Sequence, residues 1–187
     1  MNEQVVLVNE RDKEMGFMPK MLAHMQGALH RAFSVFIFNS KGEMLLQRRA
    51  IDKYHSGGLW TNACCSHPRP AEKIYDAANR RLQEEMGMKC ELEERFSFVY
   101  KAYLGQGLTE HEFDHVLTGY TDDIPNPDAE EVAEWKYISM EELEADMEQH
   151  PEQYTQWFRI CMKEHKEKLL SKEKNGNLEI STRAVSA

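Results

Sequence analysis

The sequence predicts an α+β fold: a mixed β-sheet with one central helix and a helical C-terminal end. Three observations predict it. Short runs rich in β-branched and aromatic residues recur along the chain, bounded by Gly, Asn, Asp and Pro. One long charged segment of helical character, Glu72 to Met88, interrupts them. Beyond Ser139 the patterned residues are helical. At 187 residues the chain suits one domain with a full core. Residues 1–171 read as that domain and 172–187 as a polar, unpatterned tail.

Taken in order, Gln4 to Asn9 (QVVLVN) predicts a strand and Glu10 to Lys13 a turn. Met18 to Gln26 predicts a short helix ended by Gly27. Arg31 to Asn39 (RAFSVFIFN) is a buried strand, turned by Ser40-Lys41-Gly42-Glu43 into Met44 to Arg48 as a hairpin. Ile51 to Leu59, with Gly57 and Gly58, is a loop. The thiol strand Trp60 to Pro68 (WTNACCSHP) leads into the charged helix. Cys90 to Leu104 and Glu110 to Tyr120 are strands across a Gly105-Gln106-Gly107 turn, and Ala133 to Ile138 is another. Glu110, Glu112 and Asp114 share one strand face, with His111, Phe113 and His115 on the other. Ser139 to Glu142 is a capping box opening a helix, and Pro151 begins a second that runs to about Leu170.

Composition narrows the function. The net charge is −9 and no basic stripe appears, which argues against nucleic acid as a partner. A few converging basic residues could still hold phosphate groups. Four cysteines, two of them adjacent, do not make a secreted disulfide framework at this length, so a reducing compartment is expected. MNEQVVLVNERDKE lacks the basic start and apolar core of a signal peptide, and no apolar run reaches membrane-spanning length. A cytoplasmic protein without a membrane partner is the expectation.

The chemistry concentrates at the thiol strand. Alternation along an extended chain puts Cys65 and His67 on one side and Cys64 on the other. Cys64, Cys90 and Cys161 then read as core thiols, and His55, His111, His115, His150 and His165 as ordinary histidines. In the helix that follows, Arg81 at i,i+3 and i,i+4 from Glu84 and Glu85 can be a plain salt-bridged face.

Glu72, Arg80, Glu84, Glu85 and Gly87 nonetheless resemble most of a Nudix box, G-x5-E-x7-R-E-U-x-E-E-x-G-U, with two departures. Ser66 replaces the first glycine, and Arg81 the first helical glutamate. Nudix hydrolases gather carboxylates around Mg²⁺, and a cation there removes a ligand. With T-N-A-C-C-S-H-P and E-H-E-F, the defective box resembles the type I isopentenyl-diphosphate isomerases, which have a Nudix-like fold and act in isoprenoid biosynthesis.

The resemblance implies a Nudix-like sheet sandwiched by helices, and interconversion of isopentenyl and dimethylallyl diphosphate by protonation and deprotonation of the alkene. It implies catalytic roles for Cys65, Glu112 and Tyr100. It implies one Zn²⁺ or Mn²⁺ held by His24, His30, His67, Glu110 and Glu112, although the His24–His30 segment is one residue shorter than is usual there. Mg²⁺ would bridge the substrate diphosphate to Glu85. Lys20, Arg49, Lys53 and Arg81 would contact the diphosphate. Trp157 would either offer its π face to the carbocation or simply pack its helix, and Arg48 reads as a surface salt bridge. Two other readings are a Nudix pyrophosphohydrolase on a nucleotide-type diphosphate and a catalytically silent Nudix-like binding module.

Overall fold

The structure, a computed structural model, describes residues 3–171, so the tail expected at 172–187 lies outside the described residues. The chain runs β1 (Gln4–Val8), β2 (Glu14–Pro19), α1 (Lys20–Gln26), β3 (His30–Phe38), β4 (Met44–Arg49), β5 (Trp60–Asn62) and β6 (Cys64–Ser66). It continues with α2 (Ile74–Met86), β7 (Leu92–Gly105), β8 (Leu108–Tyr120), β9 (Val132–Ile138), α3 (Met140–Gln149) and α4 (Gln156–Leu170).

The apolar run of β3 is buried almost throughout, as a strand covered on both faces must be. It pairs parallel with β8 from His30↔Glu112 to Phe38↔Tyr120, and antiparallel with β6 on its other side. Its side chains alternate between two cores. Phe36 and Phe38 join Met44, Leu46, Val116, Phe158 and Cys161, while Phe33, Val35 and Ile37 join Leu45, Leu82, Met86 and Leu117. Helix α2 therefore covers one face of the sheet and α3 with α4 the other. The mixed sheet between helices is the architecture the sequence predicts.

Four local expectations are corrected. Glu14–Pro19 is an edge strand paired with β1, so the first helix begins at Lys20, not Met18. None of its residues is buried, which erases the burial rhythm that marks inner strands. The predicted hairpin closes at a single pair, Phe38↔Met44. Beyond it the strands part, β3 to β8 and β6, β4 to β9 and β5. The charged helix begins at Ile74, because Glu72 is drawn into a loop by accepting from Arg69 N and from Arg80. Pro151 opens only a 3-10 turn, after which Tyr154 bridges to Trp60 and Thr155 N donates to Trp60 O at 3.0 Å. Helix α4 starts afresh at Gln156. The capping box at Ser139 and Glu142 forms as expected.

Candidate active site

The Trp60–Ser66 segment crosses from the β4 ladder to the β3 ladder, breaking at Ala63. Side chains replace the ladder bonds lost there. Asn62 Nδ2 donates to the carbonyls of Val35 and Cys64 at 3.1 and 2.7 Å, and Gln47 Nε2 donates to Ala63 O at 2.8 Å. The crossing sends Cys64 into the core against α2, and Cys65 into a cavity of about 290 Å³ on the other face. That volume lies at the lower end of the ~300–1,000 Å³ common for small-ligand sites. Burial pushes the Cys65 thiol well above its ordinary range, with Arg49 opposing, so the sulfur holds its proton.

Three imidazoles meet beside it. His24 Nδ1 donates to Lys20 O at 2.8 Å and His30 Nδ1 to Ala28 O at 2.8 Å. A carbonyl can only accept, so Nδ1 carries the proton it receives and Nε2 is the nitrogen each ring turns inward. His24 Nε2 is buried without a hydrogen-bond partner among the described residues. His30 Nε2 lies 3.1 Å from His67 Nε2, which lies 3.0 Å from Glu112 Oε1. Adjacent donors about 2.1 Å from a six-coordinate ion are about 3.0 Å apart. His24, His30, His67 and Glu112 thus have the spacing of a divalent-ion centre, with Nε2 of His24 and His30 turned inward. The short His24–His30 segment does not part the pair, whose ring centroids are 5.0 Å apart. Burial pushes His67 down to about 4, against the pull of Glu112, and lowers His24.

Glu110 and Glu112 lie two residues apart on β8, facing β7, where Tyr100 is the register partner of Glu112. Tyr100 Oη donates to Glu112 Oε2 at 2.6 Å and lies 3.1 Å from Glu110 Oε2. Two buried carboxylates this close do not both ionise readily. Burial, then the charge of Glu112, raises Glu110; against the same burial, the adjacent His30 and His67 rings hold Glu112 well below the usual range. The cavity therefore holds a protonated thiol and an ionised carboxylate together.

Lys20, Arg49, Lys53 and Arg81 all line the same cavity, although they come from four segments. Carboxylates engage three of them: Lys20 with Glu3 at 3.1 Å, Lys53 with Glu131, and Arg81 with Glu84 and Glu85 at 2.7 and 2.6 Å. Glu85 is buried and also accepts from Gln47 Nε2 at 2.9 Å. Arg49 lies over the Trp157 ring, 5.4 Å from its centroid, so one indole face already carries a cation. Arg48 pairs with Glu134 at 3.1 Å, away from this set.

Sequence reasoning missed several lining residues: Glu3, Ser34, Tyr54, His55 and Glu131. His55, expected to be ordinary, is half-buried with its side chain turned inward, 3.9 Å from Glu110. A histidine in a glycine-containing loop gives no periodic signal of where it points. Glu131 sits in an acidic loop whose charges look like solvated surface.

The chain matches the NUDIX domain family over residues 28–158. It is 54% identical over 162 residues to Isopentenyl-diphosphate Delta-isomerase 2 of Aromatoleum aromaticum, spanning 87% of this chain and 86% of that protein. It is 52% identical over 157 residues to Isopentenyl-diphosphate Delta-isomerase of Pectobacterium atrosepticum, spanning 84% and 88%. Among solved structures, a Deinococcus radiodurans protein superposes with TM-score 0.71 at 18% identity, covering 87% of this chain and 99% of that one. A MutT protein from Methanosarcina mazei superposes with TM-score 0.62 at 19% identity, covering 76% and 96%. These two likenesses are of fold.

Proposed function

This chain belongs to the NUDIX-domain family and, within it, to the isopentenyl-diphosphate Delta-isomerases, and from that membership we propose which side chains carry its reaction. The enzyme interconverts isopentenyl and dimethylallyl diphosphate. The reaction moves a double bond by one carbon, so a proton must be added at one carbon and removed from another. An unactivated alkene is a feeble base, and the tertiary cation formed on protonation is captured by any water within reach. The site must supply a donor and an acceptor together and keep the substrate dry.

Cys65 and Glu112 are that pair. The observation that carries this reading is that both line one cavity, the thiol holding its proton and the carboxylate ionised. One gives a proton to the alkene while the other takes one from the neighbouring carbon, and the roles exchange in the reverse direction. Tyr100 holds Glu112 through its 2.6 Å bond and lies against the same space. Trp157 closes one wall, and its indole offers a π face to positive charge.

Lys20, Arg49, Lys53 and Arg81 bind the diphosphate, displacing the carboxylates that now engage three of them. Arg81 turns the Nudix helix from water activation to phosphate binding, since it neutralises the helical carboxylates a hydrolase would give to its metal. His24, His30, His67, Glu110 and Glu112 would hold one Zn²⁺ or Mn²⁺, ions suited to a mixed imidazole and carboxylate set. Glu85, once the diphosphate draws Arg81 away, would hold Mg²⁺, which would supply positive charge to the substrate. When bound, the two ions supply positive charge that fixes the acidic side chains and the diphosphate in place.

A proton NMR time course in D₂O tests the assignment. With isopentenyl diphosphate, Mg²⁺ and Zn²⁺, the enzyme should place deuterium in the new methyl group of dimethylallyl diphosphate. Cys65→Ala should slow this by at least about 10²-fold, the lower range for loss of an acid–base group, while still binding substrate. Normal turnover by Cys65→Ala would remove the thiol from the mechanism, and release of phosphate would point to hydrolysis.

A further inference from the structure

We propose that His55 is a further donor to the divalent-ion centre, reaching it from the 51–59 loop. The proposal rests on reading His24, His30, His67, Glu110 and Glu112 as metal-binding residues. His24, His55 and Glu110 each offer a donor atom within 4.8 Å of the other two, a second set that overlaps the inner one at His24. His55 Nε2 lies 3.9 Å from Glu110 Oε1, and its Nδ1 lies 3.3 Å from Ser56 Oγ. Nε2 is therefore the nitrogen turned toward the carboxylate.

The ring is held there from three sides. It stacks on His24 with centroids 6.1 Å apart, Tyr54 packs edge-on at 4.3 Å, and Trp157 packs edge-on at 6.0 Å. A loop histidine without a task is free to turn toward water, but this side chain is only 8% exposed. The buried His24 Nε2, without a hydrogen-bond partner among the described residues, lies where the two sets overlap. Imidazole and carboxylate are the donor types already gathered at the inner set, so His55 adds a donor of the same kind.

The same loop carries Lys53, which lines the cavity. An ion bound to His55 therefore ties the diphosphate-binding loop to the metal centre, a link that the inner donors on α1, β3 and β8 do not make.

Cobalt(II) titration of the full chain, followed by calorimetry and visible absorption, tests this on wild type, His55→Ala and His67→Ala. His55→Ala should bind Co²⁺ at least about 10-fold more weakly and with an altered spectrum, and added imidazole should restore that spectrum. His55→Asn, which keeps a polar group near Ser56 but lacks Nε2, gives the same reading should the alanine variant unfold. Unchanged affinity and spectrum on loss of His55, with binding lost in His67→Ala, overturns the role of His55 and leaves the centre standing. No Co²⁺ binding by wild type overturns the centre itself, and this proposal with it.

Discussion

At the scale of single residues, the site depends on which atom of each side chain is left without a partner. Backbone carbonyls occupy Nδ1 of His24 and His30, and Tyr100 engages both carboxylates from β7. Tyr100 is the clearest test of this arrangement, because its ring and its hydroxyl have separable tasks. The ring stacks on Phe98 with centroids 5.6 Å apart, and phenylalanine would preserve that packing. Tyr100→Phe removes only the donor to Glu112, leaving a buried carboxylate one hydrogen bond short. A hydrogen bond to a charged group contributes ~1.5–3 kcal/mol, or roughly 10–100-fold in rate if it is made in the transition state. We expect kcat to fall by about that factor with KM little changed, measured by steady-state kinetics on isopentenyl diphosphate. An unchanged kcat would show that the hydroxyl makes no interaction special to the transition state.

At the scale of elements, the site is assembled where two connections meet, the strand crossing at Ala63 and the C-terminal end of α2. Gly87 ends that helix at φ 64°, and a Cβ there would lie 2.3 Å from Asn126 O. The loop it meets closes the helix, with Asn126 N donating to Met86 O and Asp128 N to Glu85 O. Gly87→Ala should therefore destabilise the fold by about 2 kcal/mol or more, through left-handed strain plus the clash. It should also weaken substrate binding, because Glu85 and Arg81 shift with the helix end. Urea unfolding checks the first, and an unchanged midpoint would show that the loop simply moves aside. This helix was legible in sequence because Glu72, Arg80, Glu84, Glu85 and Gly87 keep fixed spacings along one chain segment. The buried strands were legible because their apolar runs are continuous. Edge strand β2 was not, since a strand with no buried residue carries no burial rhythm. The partners of β3 and β4 beyond Phe38↔Met44 were not either, because pairing with β8 and β9 joins residues some eighty to ninety positions apart. His55 and Glu131 were hidden for a related reason: a loop residue's direction is set by what packs against it.

At the scale of the whole molecule, a net charge of −9 is compatible with a cavity that gathers four basic side chains because the acidic groups are distributed in part as internal partners. One such network lies on the sheet face opposite the cavity and links four segments. His115 on β8 meets Asp12 of the β1–β2 turn through Nε2 at 3.1 Å and Glu94 of β7 through Nδ1 at 2.7 Å. Arg31 of β3 donates to the same Asp12 at 2.6 Å. Burial alone would lower His115, yet its bonds to Asp12 and Glu94 outweigh it and raise the imidazolium to about 9 from an ordinary 6.5. A raised value in the folded state means that the contribution is fully present below about pH 6.5 and is lost as pH rises through about 9. Asp12 works in the opposite sense. Against its burial, the bonds from His115 and Arg31 depress it, so its contribution is lost only as pH falls below the ordinary carboxylate range. The partly exposed partners reduce the histidine's share to on the order of 2 kcal/mol. Comparing wild type with His115→Gln by urea unfolding at pH 7 and pH 10 isolates that share, since other titrating groups cancel between the two proteins. Wild type should lose about 2 kcal/mol more than the variant over this interval. Equal losses would mean that the network holds no net charge on His115, and that β7, β8 and the first turn are joined by packing alone.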